Sequence, residues 1–256
     1  MANRVTPAKT GKLLYLYGIT EQAAKVNVSE GVDGRSPVEA VPCAGFVCWI
    51  SRVDAKEYGE ELQARMENLD WLAGASVRHQ KVVGGIHEQS TILPARFATL
   101  FVSEETLGAD LKKRAADLKK DFKRLSGADE YGVKIFGIPQ AAGTVEAPLS
   151  GRDYLQRKSE MLRERTPVMA TAETAKFVAK LRDLASEVTE GGSVTSGQRH
   201  LVWQGSFLLP RSRRKQLEAA LATFHRHSSE RFRVECTGPW PPYSFIALKA
   251  HAKDNK

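Results

Sequence analysis

Few residues in this 256-residue chain have the types and spacing that chemistry needs, and each candidate falls short at a definable point. His87-Glu88 begins like the H-E-x-x-H zinc-protease signature. There, two histidines one helical turn apart hold the metal and the glutamate acts as general base. The second histidine is absent, because position 91 is Thr91. His87 then reads as a helix-end histidine, favoured by the negative end of the helix dipole. His225 and His227 are two apart, which places them on different helix faces. Cys43, Cys48 and Cys236 form an odd set without a C-x-x-C pair. That argues against a zinc site and a disulfide framework. All three are expected as buried reduced thiols, and on one extended segment Cys43 and Cys48 would point to opposite faces. No phosphate-cradling G-x-x-x-x-G-K-[ST], no G-x-G-x-x-G after a strand and no G-x-S-x-G elbow is present. No catalytic constellation, cofactor or metal is expected.

Charge is the next chemical signal. The net +8 is uneven: residues 1–198 carry a net of only +1, whereas residues 199–233 hold eight basic residues against Glu218 and Glu230. Arg211-Ser212-Arg213-Arg214-Lys215 places positive charge at the start of a predicted helix, where the macrodipole disfavours it. Arg211, Arg213, Arg214 and Lys215 are therefore candidates for contact with an anionic surface; the alternative is a plain surface loop. The run from Lys112 to Arg124 is offset by nearby acids and reads as a solvated helix face. Arg96 is the odd residue, set among apolar neighbours in Leu93-Pro94-Ala95-Arg96-Phe97. A buried arginine must be paired, and Glu88 or another helix acid is the expected partner. A solvent-facing Arg96 on an edge strand is the alternative.

These residues must be held by a scaffold of ordinary globular composition, 42% hydrophobic and 27% charged. The length suits two domains at roughly 100–200 residues each. No apolar run approaches the roughly 20 residues that span a bilayer, and the first residues lack the apolar core of a signal peptide. A cytoplasmic protein without a lipid-membrane partner is expected. Leu13–Ile19 and Gly45–Ile50 read as strands. Asp54 opens a helical region running to about Gln89, with a break near Gly74 or Gly84-Gly85. Thr91–Phe101 reads as one strand in which Pro94 cannot donate to a ladder, so it is an edge or has a bulge there. Ser103 caps a helix whose stripe is Leu107, Leu111, Ala115, Leu118, Phe122 and Leu125. A strand follows at 131–138, then a Pro/Gly-rich linker at 139–149. Beyond it, a long helical stretch runs from Ser150 to about Glu190, interrupted near Thr166-Pro167, with Val188 on the apolar stripe of its second half. A strand from His200 to Leu209, a helix from Ser212 to Ser228 and strands at Arg231–Cys236 and Tyr243–Leu248 complete the chain. The plan is α+β: an N-terminal α+β domain (1–138), the linker (139–149) and a C-terminal domain (150–256) with two helices on an antiparallel sheet, a modified ferredoxin-like fold.

Glu235-Cys236-Thr237-Gly238-Pro239-Trp240-Pro241-Pro242-Tyr243-Ser244-Phe245 packs three prolines and three aromatics between apolar runs. Such a stretch is a rigid bend. It is expected to serve as a connector whose Trp240 and Tyr243 pack onto the C-terminal domain's own core. Together with Leu14–Ile19, the block His87-Glu88…Leu93–Phe101, Glu130–Lys134 and Gly151–Leu155, it resembles the gas vesicle protein F/L family, in matching order from about residue 12 to 248. The resemblance implies a non-enzymatic accessory or minor structural protein of gas vesicles, located with the vesicle. Its implied role is to assist assembly or nucleation of the shell by binding the apolar shell protein and other gas vesicle accessory proteins. Two contact surfaces are expected: strand addition at the Pro94 edge and the basic 199–233 face. The competing class is a basic nucleic-acid-binding α+β module. It would need stacking aromatics in a K/R-G-F/Y strand motif, which no strand here carries, so no nucleic-acid partner is expected.

Overall fold

The structure, a computed structural model, describes residues 11–23, 25, 30–138, 171–191 and 200–246. It is an α+β fold whose chain divides into two compact units, residues 1–129 with 240–256 and residues 130–239.

The first unit is organised on β1 (Lys12–Thr20), in which every residue after Lys12 is buried. β2 (Glu39–Cys43) and β3 (Phe46–Asp54) form a hairpin, and the sheet order is β2-β3-β1-β4, where β4 is Ile92–Pro94. The hairpin turns at Ala44-Gly45, where both residues have positive φ, 52° and 84°, as a two-residue turn matching the strand twist requires. β1 is buried because both sheet faces are covered. Leu13, Tyr15 and Tyr17 pack with Ala75, Val82, Val83 and Ile86 of helix α2 (Leu69–Gln89). On the other face, Phe46 stacks on Phe122 of helix α3 (Glu104–Leu125), with ring centroids 5.7 Å apart.

Asp54 caps the helical region as expected, its Oδ1 accepting from the N–H groups of Lys56 and Glu57. The break falls elsewhere. A π-helical turn (Lys56–Glu60) and α1 (Leu62–Glu67) end at Asn68, whose Oδ1 accepts from Trp71 N–H and caps α2. α2 then runs unbroken through Gly74, Gly84 and Gly85, because packing of its buried face outweighs the weak helix propensity of glycine. The expected single strand over Thr91–Phe101 is two short ones, β4 (Ile92–Pro94) and β5 (Leu100–Phe101), both paired with β1. A loop with Ala98 at φ 61° separates them. Ser103 caps α3, with Thr106 as the reciprocal partner.

The second unit runs β6 (Ala128–Gly137), α4 (Ala172–Leu184), β7 (Glu187–Glu190), β8 (Leu201–Pro210), α5 (Arg214–Ser228) and β9 (Phe232–Trp240). Its strands lie in the order β7-β8-β6-β9. This βαββαβ sequence with the first and third strands central is the ferredoxin-like arrangement. The first strand it needs is β6, which the sequence reading placed in the N-terminal domain. The expected last strand, Tyr243–Leu248, is instead a 3-10 turn at Tyr243–Phe245; positions 247 and 248 lie outside the described residues. Pro241 and Pro242 lack the N–H groups a ladder needs. The helix expected to reach Glu190 stops at Leu184, and Val188 belongs to β7, paired with Phe207. The unit's core joins Val133 and Ile135 of β6 to Phe177 and Leu181 of α4 and Leu217 and Phe224 of α5. Phe177 and Phe224 stack at 4.2 Å. The expected linker at 139–149 and the start of the following helix lie outside the described residues.

Candidate interaction surfaces

Each sequence-nominated residue has a definite place. His87 is buried near the end of α2, 2.8 Å from Asp129 Oδ1. Glu88, one residue on, is exposed. Among the described residues no group of three metal-ligating side chains occurs, and no helix is long and apolar enough to cross a membrane. Cys48 is buried, Cys43 half-buried and Cys236 exposed, so only Cys48 meets the expectation in full. Cys43 and Cys48 do not oppose each other. The Ala44-Gly45 turn puts them on neighbouring strands of one hairpin, with Val41 opposite Cys48, so both side chains share a face. Burial pushes the Cys48 thiol up, and the adjacent Cys43 adds to it.

The expectation of a buried, paired Arg96 is overturned. Arg96 lies exposed in the β4–β5 loop, and among the described residues no carboxylate pairs with it. Its backbone carbonyl instead accepts from Thr99. The Pro94 edge is also unlike the expectation. Ile92 and Leu93 have no exposed surface and Pro94 is buried. A three-residue, covered edge is a protected one, so β4 has no open side for strand addition.

The basic segment is largely engaged within its own unit. A 3-10 turn (Arg211–Arg213) precedes α5, and Arg213 Nη1 donates to the carbonyls of Asp183 and Leu184 at 3.0 and 2.9 Å. These are C-terminal groups of α4, where a cation is favoured. The charge that looked misplaced at the start of α5 therefore serves the end of α4. Arg214 pairs with Glu218 at 3.0 Å, Arg231 with Glu173, and Arg233 with Glu235 while lying 4.8 Å from the Phe136 ring centroid. Arg211 and Lys215 are exposed at the surface.

Trp240 and Tyr243 do not serve the C-terminal core. Chain 240–256 belongs to the first unit; Trp240 is 44% exposed, and Tyr243 packs against the β1–α2 core. His79 holds it there. Tyr15 Oη lies 2.9 Å from His79 Nδ1, and His79 Nε2 lies 3.1 Å from Tyr243 Oη. Ala98 N–H donates to Tyr15 Oη. Because Tyr15 Oη already accepts from Ala98 N–H, it donates its own proton to Nδ1, and Nε2–H donates to Tyr243 Oη. The imidazole is thereby neutral, consistent with burial holding its pKa down at about 4.

Two surfaces of the first unit escaped the sequence reading. One is an apolar stripe on α1 and α2. Leu69 is 78% exposed, Val77 68% and Met66 38%, and Ala73 between them is exposed. At 3.6 residues per turn, Leu69, Ala73 and Val77 lie roughly 135° around α2 from its buried stripe of Ala75, His79, Val82, Val83 and Ile86. The signal was an excess of apolar residues over what one stripe holds. The other is a cavity of about 290 Å³ between α3 and the strands β1, β4 and β5. Leu16, Leu93, Leu100, Phe101 and Leu111 supply its apolar lining, and Arg96, Asp110 and Arg114 its polar groups. Arg114 Nη1 meets Asp110 Oδ2 at 3.3 Å. Its Nη2 is buried with no hydrogen-bond partner among the described residues, a state that costs about 1–3 kcal/mol.

A profile described as "Gas vesicle synthesis protein GvpL/GvpF" matches residues 13–247. Gas vesicle protein L of a Streptomyces sp. is 30% identical, over 93% of this chain and 94% of that protein. Gas vesicle protein F1 of Halobacterium salinarum is 26% identical, over 95% and 97%. Among solved structures, the gas vesicle protein GvpF of Anabaena sp. superposes with a TM-score of 0.67 at 23% identity, over 95% of this chain and all of that one. GvpF of Microcystis aeruginosa gives 0.65 at 21%, over 92% and 99%. These two structures share the fold. With the profile covering nearly the whole chain, the protein belongs to the gas vesicle GvpL/GvpF family.

Proposed function

We propose that this protein is a non-catalytic accessory factor of gas vesicle assembly, acting with the vesicle in the cytoplasm, that binds the apolar shell protein through the exposed stripe of α1 and α2. Family membership supplies the vesicle role. The observation that carries the binding reading is the run Leu69, Ala73 and Val77, left in solvent by α2 while its inner face is buried, together with the exposed Met66 of α1. Exposed apolar patches of this kind mark interaction sites. An assembly factor for an apolar subunit needs such a surface, since covering the subunit removes its apolar area from water. Burying Leu69 and Val77 in the complex contributes about 1.5–3 kcal/mol each. The basic face has a smaller part in this reading, because Arg213, Arg214, Arg231 and Arg233 already have partners within the chain.

The test is capture of the shell protein by the full chain and by a Leu69→Glu/Val77→Glu variant. Both positions are on the surface, so the variant should keep the wild-type unfolding transition while losing at least ten-fold in capture. Undiminished capture would overturn the assignment of the stripe.

A further inference from the structure

We propose that the cavity between α3 and β1, β4 and β5 is a second docking site, which takes an apolar side chain of a partner protein segment that carries a carboxylate beside it. At about 290 Å³ the cavity lies at the lower end of the range for ligand sites. That is room for a side-chain anchor and too little for a nucleotide or a large cofactor. Its walls are the apolar faces of Leu16, Leu93, Leu100, Phe101 and Leu111. Two guanidinium groups line it against a single carboxylate, Asp110. Arg114 uses one arm on Asp110 and leaves Nη2 buried without an acceptor among the described residues. Arg96 stands exposed beside the cavity, with no carboxylate paired to it among the described residues. A planar guanidinium with donors to spare selects a carboxylate over a neutral amide. An apolar pocket bordered by such groups therefore fits a segment of the type apolar–acidic. This site is separate from the α1–α2 stripe and does not depend on it.

The experiment titrates the full chain, by amide NMR at physiological salt, with acetyl-Leu-Phe-Asp-amide and with acetyl-Leu-Phe-Asn-amide. The expected result is saturable shifts at Leu100, Phe101, Leu111 and Arg114 with the Asp peptide, and at least ten-fold weaker binding of the Asn peptide. Arg114→Met should erase that preference. Arg96→Ala, at an exposed loop position that leaves the fold intact, should reduce it several-fold. Leu69→Glu/Val77→Glu should leave it unchanged, which separates failure of this site from failure of the stripe. Equal binding of the two peptides, no saturable shift at these residues, or a preference that survives both arginine variants would overturn the proposal.

Discussion

His79 is where burial has its clearest titratable consequence. Its pKa is held at about 4 by desolvation, against an ordinary 6.5. As pH falls below about 6.5 the unfolded chain takes up a proton that the native imidazole refuses, so native stability declines through this window and levels off below about pH 4. The full difference is about 3 kcal/mol at 1.36 kcal/mol per pH unit. Urea unfolding at pH 7, 5.5 and 4.5 should show this loss, and a His79→Gln variant should show a shallower one over the same window. An identical slope in the variant would assign the loss to other groups. The histidine was visible in the sequence; its partners, Tyr15 and Tyr243, are 64 and 164 residues away and were not. Arg213 teaches the same lesson. Its local setting, the start of a helix, suggested an outside anion, and the acceptors turned out to be carbonyls of α4, 29 and 30 residues earlier.

At the scale of elements, local signals were strong wherever period and cap agreed. β1, β3, α3 and β8 were readable because each couples an apolar pattern to a capping or turn residue, and α5 from its apolar stripe alone. Weak local signals misled where packing decided. Glycines suggested a break in α2, yet the helix passes through all three because its inner face is buried against β1. Gly84 sits in that helix with open space where a Cβ would be. Gly84→Ala should therefore raise stability by about 0.5–1 kcal/mol through backbone entropy, read as a higher urea midpoint. Gly18 is the opposite case: a Cβ there would meet the Leu93 carbonyl oxygen at 2.7 Å, so strand β1 needs glycine to approach β4. Strands β2 and β7 were missed because short half-exposed segments carry little alternation, and their pairing partners supply most of their definition.

For the whole molecule, the chain order is not the order of the compact units. The segment after Trp240 follows β9 of the second unit but groups with the first. Tyr243 bonds to His79, and the Phe245 carbonyl accepts from Arg124 of α3. Truncation after Pro239 should thus weaken the first unit, not the second. Hydrogen exchange should then speed up in α2 and α3, with α4 and α5 keeping their protection. Faster exchange confined to α4 and α5 would contradict this assignment. The α+β class and the ferredoxin-like plan were legible from the sequence of elements. The unit boundaries were not, since β6 and the Trp-Pro-Pro stretch look alike whichever sheet or core they join.

By itself, the amino-acid sequence determined the apolar stripes of α3 and α5, where most helices and strands lie, and that no familiar catalytic motif is present. Ordered motifs along the chain also pointed to the gas vesicle family. These are properties of local pattern, which side-chain hydrophobicity, capping and turn chemistry set within a few residues. Tertiary structure alone decided which apolar residues stay in solvent on α2, which arginines already have partners, and that Arg96 and Arg114 border one apolar cavity. Those outcomes depend on what lies opposite each side chain in space, and the groups that meet there are scattered along the chain.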